Sequence, residues 1–166
     1  MPTRPPIRSE RVSSSVCRSD PMGGPGTASL NLHASVVALD PERGVLIKGA
    51  SGTGKSLLAL RLMAYGARLV ADDRTNLTVE GGHLIARAPA PIAGRIEARG
   101  VGILRADPLS HARITLSVDL DREETERLPN CRKDSLLGVE LPLVLRVQHD
   151  HFDVAILQWL KGGRWA

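Results

Sequence analysis

Val45-Leu46-Ile47-Lys48-Gly49-Ala50-Ser51-Gly52-Thr53-Gly54-Lys55-Ser56 is a short apolar run that passes directly into a glycine-rich loop. Gly49 to Ser56 satisfy G-x-x-x-x-G-K-[ST], and the run before them reads as a buried strand. Behind them, Leu58, Leu62 and Tyr65 recur at i, i+4, i+7, which predicts a helix over 55–65 with Gly66 just past its end. Strand, phosphate-type loop and helix therefore occur in the order that lets successive loop N–H groups and the helix N-terminus converge on an anion. Gly49, Gly52 and Gly54 let the backbone curl, while Ala50, Ser51 and Thr53 supply the intervening amides. Lys55 is placed to reach the β- and γ-phosphates of a nucleotide, and the Ser56 hydroxyl to bind Mg²⁺.

Moving outward, residues 30–39 (LNLHASVVAL) read as a strand, and 40–44 as a turn. Residues 68–71 form another strand ending at Asp72-Asp73. If the sheet is parallel there, that end opens beside the glycine loop. One carboxylate can then hold Mg²⁺ while the other accepts a proton from an attacking hydroxyl, although a solvated turn is the plainer alternative. Residues 76–80 and 83–87 alternate around Gly81-Gly82, a hairpin pattern. Residues 96–104 form a glycine-flanked, strand-like frame in which Glu97 and Arg99 share a face. Glu97 there can assist a metal and Arg99 can offset phosphoryl charge, or the two can be a surface ion pair. Residues 112–120 read as a strand, 121–128 as a charged connector, 136–147 as a strand containing Pro142, and a helix is expected from Asp150. The reading as a whole is α/β, a P-loop with a mixed sheet.

Composition narrows the function classes. The chain has 166 residues, enough for one domain with some tail, and aromatics make up only 2%, too few for stacked-base recognition of nucleic acid. The net charge is +4, of which +2 comes from residues 1–29. That segment holds five of the eleven prolines and six serines, and is expected to be a disordered extension, with Met22 as an alternative start. The domain is therefore assigned to 30–166. No run reaches the length of a membrane span, so a cytoplasmic protein is expected, without membrane or nucleic-acid partners. Cys17 and Cys131 make no metal or disulfide spacing.

Taken together, His33, GASGTGKS (49–56), LVADD (69–73) and EARGVGIL (97–104) resemble, in order and spacing, the catalytic domain of the bacterial HPr kinase/phosphorylase family. The resemblance runs from about residue 32 to 104, and more loosely through GVELPL (138–143) to the last helix. It implies the short form, a C-terminal catalytic domain with a fold related to phosphoenolpyruvate carboxykinase. It also implies an ATP- and Mg²⁺-dependent serine kinase acting on the phosphocarrier HPr or a paralogue, in control of carbohydrate metabolism, and it admits a homo-oligomer. An aspartate of VADD is implied as the base, with Asp72 the first choice and Asp73 near the metal or His33. His33 matches an active-site histidine, and Glu97 and Arg99 match the signature's charged pair. Residues 146–150 (RVQHD) stand where full-length relatives carry PGRN-like residues, which weakens the implication of phosphorylase activity. A small-molecule P-loop kinase and a non-catalytic nucleotide sensor are the competing readings.

Overall fold

The computed structural model describes residues 28–165. The expected extension thus lies outside the described residues except at Ala28 and Ser29, and Ser29 already pairs with Thr78. At the centre is β3 (Arg43–Lys48), whose Val45, Leu46 and Ile47 are fully buried. Burying side chains of this size contributes about 1.5–3 kcal/mol each. Alternation sends them to two cores. Val45 and Ile47 join Val37, Leu116 and Val118 beneath the helices α1 (Lys55–Ala64) and α2 (Phe152–Gly162), through Leu58, Leu62, Ile156 and Leu160. Leu46 faces the other way, with Val36, Val70, Leu77 and Ile114.

The sheet order sets the site. On one side β3 pairs parallel with β9 (Ala112–Glu123), and on the other antiparallel with β2 (Ala34–Asp40). Beyond β2 lies β4 (Arg68–Ala71), antiparallel to it. β4 therefore runs in the direction of β3 but is not its neighbour, because β2 lies antiparallel between them in the mixed sheet. The C-terminal ends of β3 and β4 and the N-terminal end of β2 all meet one edge. That geometry brings the P-loop, Asp72-Asp73 and His33 together.

Several elements differ from expectation for non-local reasons. Residues 30–39 are two strands, because β1 (Ser29–Leu32) pairs with β5 (Thr75–Glu80) while β2 pairs with β3 and β4, and the chain bends at His33 between them. β5 and β6 (His83–Arg87) form the expected hairpin. Residues 96–104 are a hairpin as well: β7 (Arg95–Ala98) turns at Gly100, φ +81°, into β8 (Gly102–Arg105). Arg99 therefore sits in the turn and not on a strand face beside Glu97. β9 continues through Glu123, which places Asp121 in a strand instead of a connector. The expected strand 136–147 splits at Leu137-Gly138 into β10 (Arg132–Leu136) and β11 (Val139–Arg146). Pro142 is tolerated because the pairing of β11 with β9 starts only at Leu143. Helix α2 starts at Phe152, two residues after Asp150. Among the described residues, no helix is long and apolar enough to cross a membrane.

Candidate active site

Residues 49–54 loop from the end of β3 to α1. Gly49 has φ +153°, and a Cβ there would lie 2.5 Å from Thr53 Oγ1. Gly54 caps α1 in the left-handed region at φ +98°, with neither a side-chain cap nor an acidic residue in the first turn. The positive helix end is left uncompensated, as anion binding requires. Thr53 closes the loop internally, its N–H and Oγ1 both donating to Ala50 O, at 3.3 and 2.8 Å. Lys55 is buried, and its Nζ donates to Gly49 O at 2.8 Å and Ala50 O at 3.0 Å. Burial holds its pKa below the usual lysine range, opposed by the charges of Asp121, Asp72 and Asp73.

The two adjacent aspartates are held in opposite ways. Asp72 is only 4% exposed, and its carboxylate is saturated. It accepts from Ser35 Oγ at 2.5 Å, from Ser56 Oγ at 2.8 and 3.1 Å to its two oxygens, and from the Glu97 N–H at 3.1 Å. Asp73 has φ +66°, uncommon for a residue with a side chain, within a tight turn closed by Arg74 N–H donating to Asp72 O at 2.8 Å. That turn throws its side chain outward, 73% exposed, with Oδ1 3.3 Å from His33 Nε2.

A cavity of about 490 Å³ joins these parts, lined among others by His33, Lys55, Asp73, Glu97 and Arg99. Arg99 reaches it from the β7–β8 turn, and a Cβ added to Gly52 would lie 3.9 Å from its Nη2. The structure thus brings His33, Gly52, Gly54, Lys55, Ser56, Asp72, Asp73, Glu97 and Arg99 to one cavity. Ala50 and Thr53 take part in the loop's own hydrogen bonds. Among the described residues no group of three or more His, Cys, Asp or Glu comes together to hold a metal ion. Cys131 is free and exposed.

Three further residues hold the site. Ser35 is completely buried, and a polar residue inside the apolar run ASVVAL was the available signal for it. Asp121, at the end of β9 next to the loop, accepts the Ala50 N–H at 2.8 Å. Arg146, at the end of β11, donates from Nη2 to Thr53 O. Neither charge is marked in the sequence, since both reach the loop by strand pairing.

The family described as HPr Serine kinase C-terminal domain matches residues 27–144. The chain belongs to this family. An HPr kinase/phosphorylase of Exiguobacterium sibiricum is 44% identical over 86 residues, 47% of this chain and 28% of that protein. One of Geobacillus thermodenitrificans is 39% identical over 112 residues, 60% of this chain and 36% of that protein. This member of the HPr serine kinase C-terminal domain family thus matches about a third of the length of those relatives. Its fold is similar to that of the HPr(Ser) kinase/phosphatase from Coxiella burnetii, with a TM-score of 0.66 and 27% identity over 80% of this chain and 94% of that one. The expected α/β P-loop fold with a mixed sheet is thereby borne out.

Proposed function

We propose that the chain is an ATP- and Mg²⁺-dependent kinase that phosphorylates a serine of HPr or a related phosphocarrier. One observation carries the reading: a single Asp-Asp step gives one carboxylate to the P-loop hydroxyl of Ser56 and turns the other into an open cavity beside His33. Phosphoryl transfer depends on positioning and charge neutralisation, and both are supported here.

Asp73 is the base. Asp72 has its lone pairs filled by Ser35, Ser56 and Glu97, whereas Asp73 is exposed, with His33 beside its carboxylate. The acceptor serine Oγ bonds to the γ-phosphorus, the bond from that phosphorus to the β–γ bridging oxygen breaks, and the serine proton passes to Asp73 as ADP leaves. His33 orients that carboxylate. Lys55 exchanges its loop carbonyls for phosphate oxygens, and Arg99 lies across from Gly52 to offset charge on the transferred group.

The residues fit magnesium as nucleotide enzymes hold it, by one or two protein oxygens together with phosphates and water instead of a protein cage. Ser56 Oγ, backed by the buried anion of Asp72, would hold it, with Glu97 opening to the same cavity. When bound, Mg²⁺ neutralises charge on the β- and γ-phosphates. A cytoplasmic location and self-association belong to the same proposal.

The test is incubation with ATP, Mg²⁺ and a panel of purified HPr-type carriers, followed by mass spectrometry for phosphoserine. Absence of phosphoserine on every carrier, with ATP still bound, overturns the reading. ADP release that depends on a metabolite points to a small-molecule kinase, and binding without turnover to a sensor.

A further inference from the structure

The chain has two tryptophans, one tyrosine and one phenylalanine, and two of these four aromatic side chains line a single cavity apart from the catalytic one. It has a volume of about 280 Å³ and shares no lining residue with the catalytic cavity. On α2, Phe152, Ala155, Ile156 and Trp159 fall at i, i+3, i+4 and i+7 and face it together. Phe152 and Trp159 are half-buried and stand about 10 Å apart along the helix axis, with the small, exposed Ala155 between them, so this face carries a slot instead of a ridge. Val144 of β11 lines the cavity too, as does the segment 124–131 that joins β9 to β10. That segment is fastened twice: Glu124 N–H donates to Arg146 O at 2.8 Å, and Arg164 donates from Nη2 to Pro129 O. The cavity's charges do not cancel. Arg132 donates from Nε and Nη2 to Glu124 at 3.1 and 3.2 Å, and the Arg164 guanidinium lies over the Trp159 ring, 5.8 Å from its centre. Two guanidiniums against one carboxylate leave a net positive charge, and Nη1 of Arg132 stands outside the pair with Glu124.

We infer that this cavity binds a small aromatic monocarboxylate, with its ring in the slot between Phe152 and Trp159 and its carboxylate on Arg132. Protein interiors hold few voids larger than a water molecule, and ligand sites are apolar and aromatic hollows with a few placed polar groups, which is the composition here. The volume lies at the small end of such sites and suits one ring with a short side chain. A planar ring gains stacked or edge-on contacts with both aromatic side chains that an aliphatic group does not. A guanidinium suits a carboxylate because its N–H donors form a planar fork, and the edge that carries Nη1 is the one Arg132 has to offer. Glu124 does not oppose a second carboxylate strongly, because its own charge is also met by the N–H groups of Thr125 and Glu126, at 3.1 and 3.2 Å.

Isothermal titration calorimetry of the whole chain with phenylacetate, repeated in the presence of ATP and Mg²⁺, tests the inference. Saturable binding at one site per chain is expected, unchanged by ATP because the two cavities share no residue. Phenylacetamide, which keeps the ring and loses the charge, should bind about tenfold more weakly. Arg132→Gln should bring phenylacetate down to the affinity of phenylacetamide, whose own unchanged binding reports that the cavity is intact. Ala155→Leu, which fills the slot with a residue that favours a helix, should abolish the binding of both. No saturable binding, displacement by ATP, equal affinity for acid and amide, or undiminished phenylacetate binding by either variant overturns the inference.

Discussion

Replacing Asp72 by asparagine keeps size and shape but reverses part of the hydrogen-bond polarity at a buried point where three donors converge. An asparagine can offer its oxygen either to the two hydroxyls or to the Glu97 N–H. The hydroxyls of Ser35 and Ser56 can rotate to accept, but the backbone N–H cannot, so the amide settles with its oxygen toward Glu97. All three charge-assisted bonds, of about 1.5–3 kcal/mol each, then become neutral ones of about 0.5–1.5 kcal/mol, a loss of roughly 3 kcal/mol. Asp72→Ala does more, since it strands the fully buried Ser35 hydroxyl, at a further cost of about 1–3 kcal/mol. At roughly 4 °C per kcal/mol for a domain of this size, the asparagine variant melts about 12 °C lower. Asp73→Asn, by contrast, removes one exposed contact with His33 and keeps a residue type that tolerates positive φ, so its stability changes by less than about 0.5 kcal/mol. Urea titration and thermal melts of both variants, alongside nucleotide affinity with and without Mg²⁺, separate them. Asp72→Asn should also lose most of the gain in affinity that Mg²⁺ confers. Equal stability losses at the two positions, or an Asp72→Asn protein as stable as the parent, would refute the division of labour.

Other perturbations probe separate parts of the structure. Gly49→Val should abolish nucleotide binding in calorimetry, because its Cβ would meet Thr53 Oγ1 at 2.5 Å in a loop that has no slack. Leu62→Ala, at a fully buried position beneath α1, should cost about 2–5 kcal/mol in urea titration with no direct effect on the cavity. Burial alone would push the Asp134 carboxyl up, but hydrogen bonds from Lys48 at 2.5 Å and Ser117 at 2.7 Å hold it below its ordinary 3.8. Its contribution is therefore complete above that pH and lost as pH falls through the lowered folded value. The stability gap between the parent and Asp134→Asn, followed by denaturation between about pH 5 and about pH 2, should narrow toward the acid end.

What was legible in the sequence was local. The P-loop, α1 and the β5–β6 hairpin follow from spacing and turn chemistry within a dozen residues, and Asp72-Asp73 from the end of an apolar run. What was not legible depends on pairing across the sheet. Nothing near residue 34 announces that β2 inserts between β3 and β4, and its polar Ser35 is intelligible only once Asp72 lies beside it. Arg99 moved from a strand face to a turn because Gly100 closes a hairpin with β8. Asp121 reads as part of a charged connector and Arg146 as the end of a strand, yet β9 and β11 run parallel to β3 and deliver both to the loop. The unequal fates of two adjacent aspartates come from a backbone turn at Asp73 that no residue pattern records.

The most direct measurement is single-turnover transfer from prebound ATP to a carrier serine, comparing the parent with Asp73→Asn. Transfer by the parent, and a rate about 10²–10⁴-fold lower for the variant at unchanged ATP affinity, is the predicted result. Transfer by Asp73→Asn at the parental rate, or none by the parent to any carrier, would contradict the assignment of Asp73 as base in a carrier-directed kinase.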